Sequence, residues 1–406
     1  MSMKEICPKI SCTGCKACEL VCPRKCISME EDSLAALYPK IDGTQCIDCG
    51  LCERTCPNNR SLAFHTPMEC YAAWSKDADA RHSSASGGFA AELYNLVLQS
   101  NTFTAGVCWD AERGAYYMPV ENREDINRVR NSKYVYSDTH GIYDEVKHRL
   151  EKGYPVLFIG LPCQVAGLYG YLKKDYELLS TVDIICHGVA PTAYLSQHIK
   201  KIEQKKGRMA ETISFRTPKY YTYTFTFTFT DKNNKEFYRK TVQSSDNYQL
   251  GYHHALIYRE NCYQCHYAKA ERIADLTIGD FSGLGRLAPC EYDRLNVSCV
   301  LVNTPKGKAI VEQLANYVIF DKRPMDEALK VEKQLQHPSV PHHKRPLFVD
   351  VFIKTRDFKK ASRVALVGDR VQVRKLKIIN YAKNLLRTVI PSRLIRFIRN
   401  RGNGKS

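Results

Sequence analysis

Residues 11–23 read SCTGCKACELVCP, and residues 45–57 read QCIDCGLCERTCP. Both runs have the spacing C-x2-C-x2-C-x3-C followed by proline: Cys12, Cys15, Cys18, Cys22 and Pro23, then Cys46, Cys49, Cys52, Cys56 and Pro57. Three thiolates spaced two residues apart can wrap one cubane corner by corner. The fourth lies past a turn and is sent to the other cluster. The spacing therefore predicts two [4Fe–4S] clusters with crossed ligation. Cys12, Cys15, Cys18 and Cys56 are expected to hold one, and Cys46, Cys49, Cys52 and Cys22 the other. Structural zinc also takes four thiolates, but usually as separated C-x2-C pairs, which two full runs fit poorly. Cys7, Cys26 and Cys70 lie outside the pattern and receive no role.

The rest of the chain is consistent with that chemistry. It has 406 residues, room for two or three domains, and an apolar fraction of 44%, which indicates a globular protein. No run of eighteen apolar residues occurs and no leader pattern opens the sequence, so a cytoplasmic location is expected, peripheral at the inner face of the membrane if the tail binds lipid. Eighteen cysteines in such a chain point to metal or redox chemistry rather than disulfides. The net charge of +17 is uneven: residues 351–406 hold 16 Lys and Arg against Asp357 and Asp369. A nearly neutral body with a basic tail argues against nucleic-acid binding by the body.

Residues 1–66 are expected to form the ferredoxin-type domain, folded through its metal. From Cys70 the pattern becomes α/β. Phe89, Ala90, Leu93, Leu96 and Val97 recur at helical spacing, and Val156–Ile159 and Thr181–Ile185 read as strands. Residues 221–230, YTYTFTFTFT, alternate strictly, which predicts a strand with aromatics on one face, paired through a turn at 231–234 with Phe237–Val242.

Three further segments carry candidate sites. RHSSASGGF (81–89) puts small residues before a helix, where backbone N–H groups can approach a phosphate; an ordinary serine cap fits equally well. IGLPCQVAGL (159–168) and ICHGV (185–189) place Cys163, Cys186 and His187 at strand ends, where ligands of open α/β sheets gather. Cys262 and Cys265 form a C-x2-C pair. These four thiols are the number that a third cluster requires. A redox pair at Cys262 and Cys265, with an activated thiolate at Cys163, is the alternative. Gly283, Gly285 and Ala288 also fit G-x-G-x-x-A, but Pro289 would break the helix that motif needs.

Together SSASGGF, NSKYVYS (131–137), IGLPCQVAGL, ICHGV and CYQCHYAKAERIADLTIGDFSG (262–283) resemble the signature segments of the coenzyme F-420 hydrogenase/dehydrogenase beta-subunit family. The resemblance covers about residues 70 to 305. It implies an iron–sulfur flavoprotein oxidoreductase passing electrons between clusters, FAD and a hydride-carrying substrate. That substrate would be a deazaflavin or an intermediate of cell-surface polysaccharide synthesis. It implies FAD near Ser83, Ser84, Ser86, Gly87 and Gly88, and near Lys133, Tyr134 and Ser137, and it implies cluster ligation by cysteines of the C-terminal part. Ser282 stands where many relatives have tryptophan. The expected architecture is α+β/α/β: a small dicluster ferredoxin-like domain (1–66), a mixed α/β flavin-binding domain in two parts (67–150 and 151–345), and a basic helical tail (346–406). His187 is a weak candidate proton carrier; a hydrogen-bonding structural histidine is the commoner reading of such a residue.

Two functional classes follow: a flavin- and cluster-dependent enzyme served by a redox partner protein or small electron carrier, or a non-catalytic electron-transfer subunit docking a catalytic partner. In the tail, Leu376, Ile379, Ala382, Leu385, Leu386 and Val389 share one side of a predicted helix over 371–390, among Arg374, Lys375, Lys377, Lys383 and Arg387. Such a helix can lie on an anionic membrane or pack on the body. A second stretch after Pro391 repeats the pattern.

Overall fold

A computed structural model describes residues 5–139, 141–242 and 244–389, with side chains to residue 379. Residues 5–66 form a ferredoxin-like unit. β1 (Ile27–Glu31) and β2 (Leu37–Ile41) make an antiparallel hairpin. Two helices of five residues, Ala17–Val21 and Leu51–Thr55, follow the middle cysteines of each run. Helices this short are not stable alone. The buried centre of the unit is Ile6, Cys18, Cys26, Ile27 and Cys56. With thiols making up most of that centre, apolar burial contributes little, and metal is needed to hold it.

The body is built on a nine-stranded mixed sheet. Its strands are β3 (Glu69–Ser75), β4 (Phe103–Asp110), β5 (Gly114–Pro119), β6 (Ser137–Asp138), β7 (Val156–Gly160), β8 (Leu179–Ile184), β12 (Leu276–Asp280), β13 (Ser298–Val302) and β14 (Val318–Arg323). They lie in the order β14-β3-β13-β12-β8-β7-β4-β5-β6. The centre of the sheet is parallel: β4 with β7, β7 with β8, β8 with β12. Every residue of β7 is buried, as expected of a continuous apolar strand covered on both faces. The helices Phe89–Leu98, Ile142–Glu151 and Pro162–Leu172 supply that cover.

A three-stranded sheet, β9 (Thr212–Ser214), β10 (Phe227–Thr230) and β11 (Glu236–Lys240), is inserted between β8 and β12, and the β10–β11 hairpin forms where the sequence predicts it. The strand expected over 221–230 is shorter than its periodicity suggests. Residues 222–224 form a 3-10 turn, and Tyr221 (φ 63°) and Phe225 (φ 50°) are left-handed. Tertiary bonds overrule the alternation here. Thr222 is fully buried and its hydroxyl donates to the Ser84 carbonyl and to Asn296 Oδ1, both at 2.9 Å, while its own carbonyl accepts from Arg216 Nε at 2.8 Å. Tyr221, expected on an aromatic face, is exposed.

The C-terminal helix runs Val367–Val389. Its first turn is clasped to the body by Asp369, whose Oδ1 lies 2.8 Å from His254 Nδ1 and 3.4 Å from His342 Nε2. Beyond that clasp Leu376, Ile378 and Ile379 are exposed. The stretch after Pro391 lies outside the described residues. Among the described residues no helix is long and apolar enough to cross a membrane.

Candidate functional site

The carboxyl ends of β7 and β8 lie side by side, because these strands are parallel neighbours. Pro162 starts the helix that follows β7 and places Cys163 in its first turn. Cys186 and His187 lie just past β8. Cys262 and Cys265 arrive from a 3-10 turn, Glu260–Gln264. All four cysteines line one cavity. Arg272 fixes the segment carrying the C-x2-C pair. Its buried guanidinium bonds the Tyr267 carbonyl at 2.9 Å and pairs with Asp183 Oδ1 of β8 at 3.1 Å. The Arg272 backbone also makes a two-way bridge with His65.

Burial raises the thiols of Cys163, Cys186, Cys262 and Cys265, Cys262 to about 11. Without a cation the chamber is thus a set of neutral thiols. A bound metal centre would deprotonate them together, and the donor set fits a [4Fe–4S] cluster. His187 stands at the wall of this chamber, half exposed, with Nε2 4.0 Å from Glu332 Oε1.

Two more chambers lie in the N-terminal unit. Cys12, Cys15, Cys18 and Cys56 line one, and Cys22, Cys46, Cys49 and Cys52 line the other. This is the crossed grouping that the spacing predicts, and each donor set fits a cubane. In the first chamber Cys12, Cys18 and Cys56 are buried; in the second Cys49 is exposed.

Sequence reasoning missed two residues here. Cys7 joins the wall of the first chamber and Cys26 that of the second. Cys26 Sγ is 3.4 Å from Cys22 Sγ. A thiol hydrogen bond from Cys7 draws Cys12 down to about 6, helped by the charge of Arg259. The available signal was proximity in sequence: both stand within five residues of a motif cysteine.

The segments expected to carry FAD do meet. Ser83 accepts from Arg130 through its hydroxyl at 2.8 Å and from Asn131 through its carbonyl at 3.1 Å. Ser86 and Gly87 are left-handed, and Ser86 Oγ donates to Asp280 Oδ1, a carboxylate also held by Arg216 at 2.7 and 3.0 Å. The expected cradle, however, is closed on its own chain. A Cβ on Gly87 would sit 2.5 Å from the Asn296 carbonyl oxygen, and one on Gly88 3.1 Å from that of Ala80. Lys133 Nζ caps a helix end by donating to the carbonyls of Arg128, Val129, Arg130 and Asn131. Tyr134 stacks on Tyr252, and Ser137 is buried against Gln164. Ser84 Oγ is buried without a partner. Apart from Ser84, these side chains are engaged with neighbours in the chain itself. Ser282 bonds Glu332 Oε2 at 2.8 Å.

Comparisons with known proteins agree with the cysteine geometry. Residues 11–60 match the 4Fe-4S dicluster domain. Residues 70–142 match the coenzyme F420 hydrogenase/dehydrogenase beta subunit N-term, and residues 154–328 match the corresponding C terminus. Among curated proteins no match was found. Among solved structures, a chain of the F420-reducing [NiFe] hydrogenase complex from Methanosarcina barkeri aligns at 17% identity with a TM-score of 0.41, covering 68% of this chain and 93% of that one. The N- and C-terminal matches together span more than half of the sequence, and the protein belongs to the coenzyme F420 hydrogenase/dehydrogenase beta-subunit family, with a 4Fe-4S dicluster domain in its N-terminal region.

Proposed function

We propose that the protein is an iron–sulfur electron-transfer oxidoreductase with three [4Fe–4S] sites in series. Clusters bound there would supply one-electron transfer. One observation carries the reading: each of three chambers gathers one expected four-thiol set, with Cys26, Cys7 or Cys15 as a fifth cysteine at its wall, and Cys15 lines two of them. The residues fix the order. Cys49, with the exposed Ile47 beside it, opens the outermost chamber to a redox partner protein or small carrier. Cys12, Cys18 and Cys56, all buried, line the middle one. Cys163, Cys186, Cys262 and Cys265 hold the innermost, against the sheet.

FAD and a hydride-carrying substrate, deazaflavin-like or from polysaccharide synthesis, are supported by family resemblance alone. His187 would be the proton carrier beside such a substrate, since it stands at the wall of the innermost chamber. The closed loop at Gly87 and Gly88 favours a second reading, a non-catalytic electron-transfer subunit that docks a catalytic partner. The exposed apolar residues of the C-terminal helix, among basic ones, support peripheral contact with an anionic membrane.

Anaerobic purification followed by iron, sulfide and flavin analysis tests both readings. About twelve iron atoms per chain are expected from three four-iron clusters. About eight would remove the innermost site, and zinc in place of iron would end the proposal. Stoichiometric flavin would select the enzyme over the docking subunit.

A further inference from the structure

The helix Pro162–Leu172 carries Cys163 in its first turn, Gly167 four residues on and Gly170 three beyond that. This spacing puts the three on one helix face. At Gly167 an added Cβ would lie 2.7 Å from Cys15 Cβ and 3.0 Å from Cys15 Sγ. At Gly170 it would lie 2.2 Å from the Thr55 carbonyl oxygen. The ferredoxin-like unit is thus seated directly on helix backbone, along a strip without side chains.

Bonds from the body hold it there. Tyr136 Oη donates to the Gly14 carbonyl at 2.6 Å, Thr139 Oγ1 to the Cys15 carbonyl at 2.8 Å, and Lys16 pairs with Asp138 at 2.8 Å. The Arg60 guanidinium reaches the Gly170 carbonyl at 3.3 Å. The result is that Cys15 borders both the middle chamber and the innermost one.

We propose that Gly167 is a positioning residue for electron transfer: by having no side chain it lets the Thr13–Cys15 segment, with Cys15 against the helix, be all that separates the middle and innermost metal sites. This rests on the three-site reading above. Gly170 sets the second point of the seat, so that the unit cannot rock away from Cys163. Gly167 supplies no thiol itself, so a side chain there acts only through the atoms it would meet, Cys15 Cβ and Sγ among them.

The test uses the full chain, purified anaerobically and reduced with dithionite. Iron and sulfide are measured beside the low-temperature electron paramagnetic resonance spectrum. Wild-type protein is expected to give about twelve iron atoms and a spectrum split by interaction between neighbouring clusters. In Gly167→Ala the splitting should shrink, and in Gly167→Val it should vanish, with iron unchanged. Thr139→Val, which loosens the grip on Cys15 without touching the helix, should weaken it too, and it decides the matter if Gly167→Val fails to fold. Full iron with unaltered splitting in Gly167→Val overturns the proposal, as does a fully loaded wild-type protein without splitting. A wild-type chain with only about eight iron atoms instead sinks the three-site reading, and the iron count tells the two failures apart.

Discussion

In the N-terminal unit, Cys12, Cys15 and Cys18 are close neighbours in sequence, and only Cys56 must be brought to them. In the body, Cys163, Cys186 and the Cys262–Cys265 pair come from distant segments, and the ends of β7 and β8 bring them together. The first arrangement is cheap in chain but weak in core, since its centre is largely thiol. The second is preorganised, because the strands beneath it bury residues such as Phe158, Val182 and Leu276 for reasons unrelated to metal. A burial of that kind is worth about 1.5–3 kcal/mol for each large apolar side chain. One site should therefore need its metal in order to fold, whereas the other should fold and then accept it.

The harshest test of that contrast is Cys49→Ser. It should remove about four iron atoms and unfold the N-terminal unit, seen as rapid proteolysis within residues 5–66, with the body left protected. Survival of an ordered, iron-poor unit would break the comparison. The matching change in the body, Cys265→Ser, should also cost about four iron atoms but leave the main thermal transition in place. Collapse of the body in that variant would mean that its chamber is no more preorganised than the other two.

Arg272→Met sharpens the contrast from the protein side. It leaves Asp183 buried without its partner and should cost about 3–5 kcal/mol of body stability, read as a lowered melting temperature, together with iron loss confined to the innermost site. Cys26→Ser should have the smallest effect. Iron content should stay the same, but the second cluster should be lost faster on exposure to a chelator, because a neighbouring thiol no longer backs Cys22.

Legibility in the sequence followed the same division. The eight motif cysteines and their crossed grouping were readable because ligation there depends on spacing within a short segment. The four body cysteines could be listed, since two follow apolar runs and two form a pair, but their meeting depends on strand order, which spacing does not encode. Cys7 and Cys26 were overlooked because no motif contains them. The loop at Ser83–Gly88 was ambiguous for a different reason. Small residues before a helix admit either a phosphate or another stretch of backbone, and here Asn296 and Ala80 fill the space. The threonine–aromatic run failed as a long strand because Thr222 satisfies Ser84 and Asn296 instead of a ladder.

The clasp of Asp369 by His254 and His342 has a mechanical consequence. A helix of 23 residues is about 35 Å long at 1.5 Å per residue, and the clasp grips it at one end. Val373, one turn past Asp369, also packs against the core of the body, so the first two turns are seated and the remaining length projects beyond them.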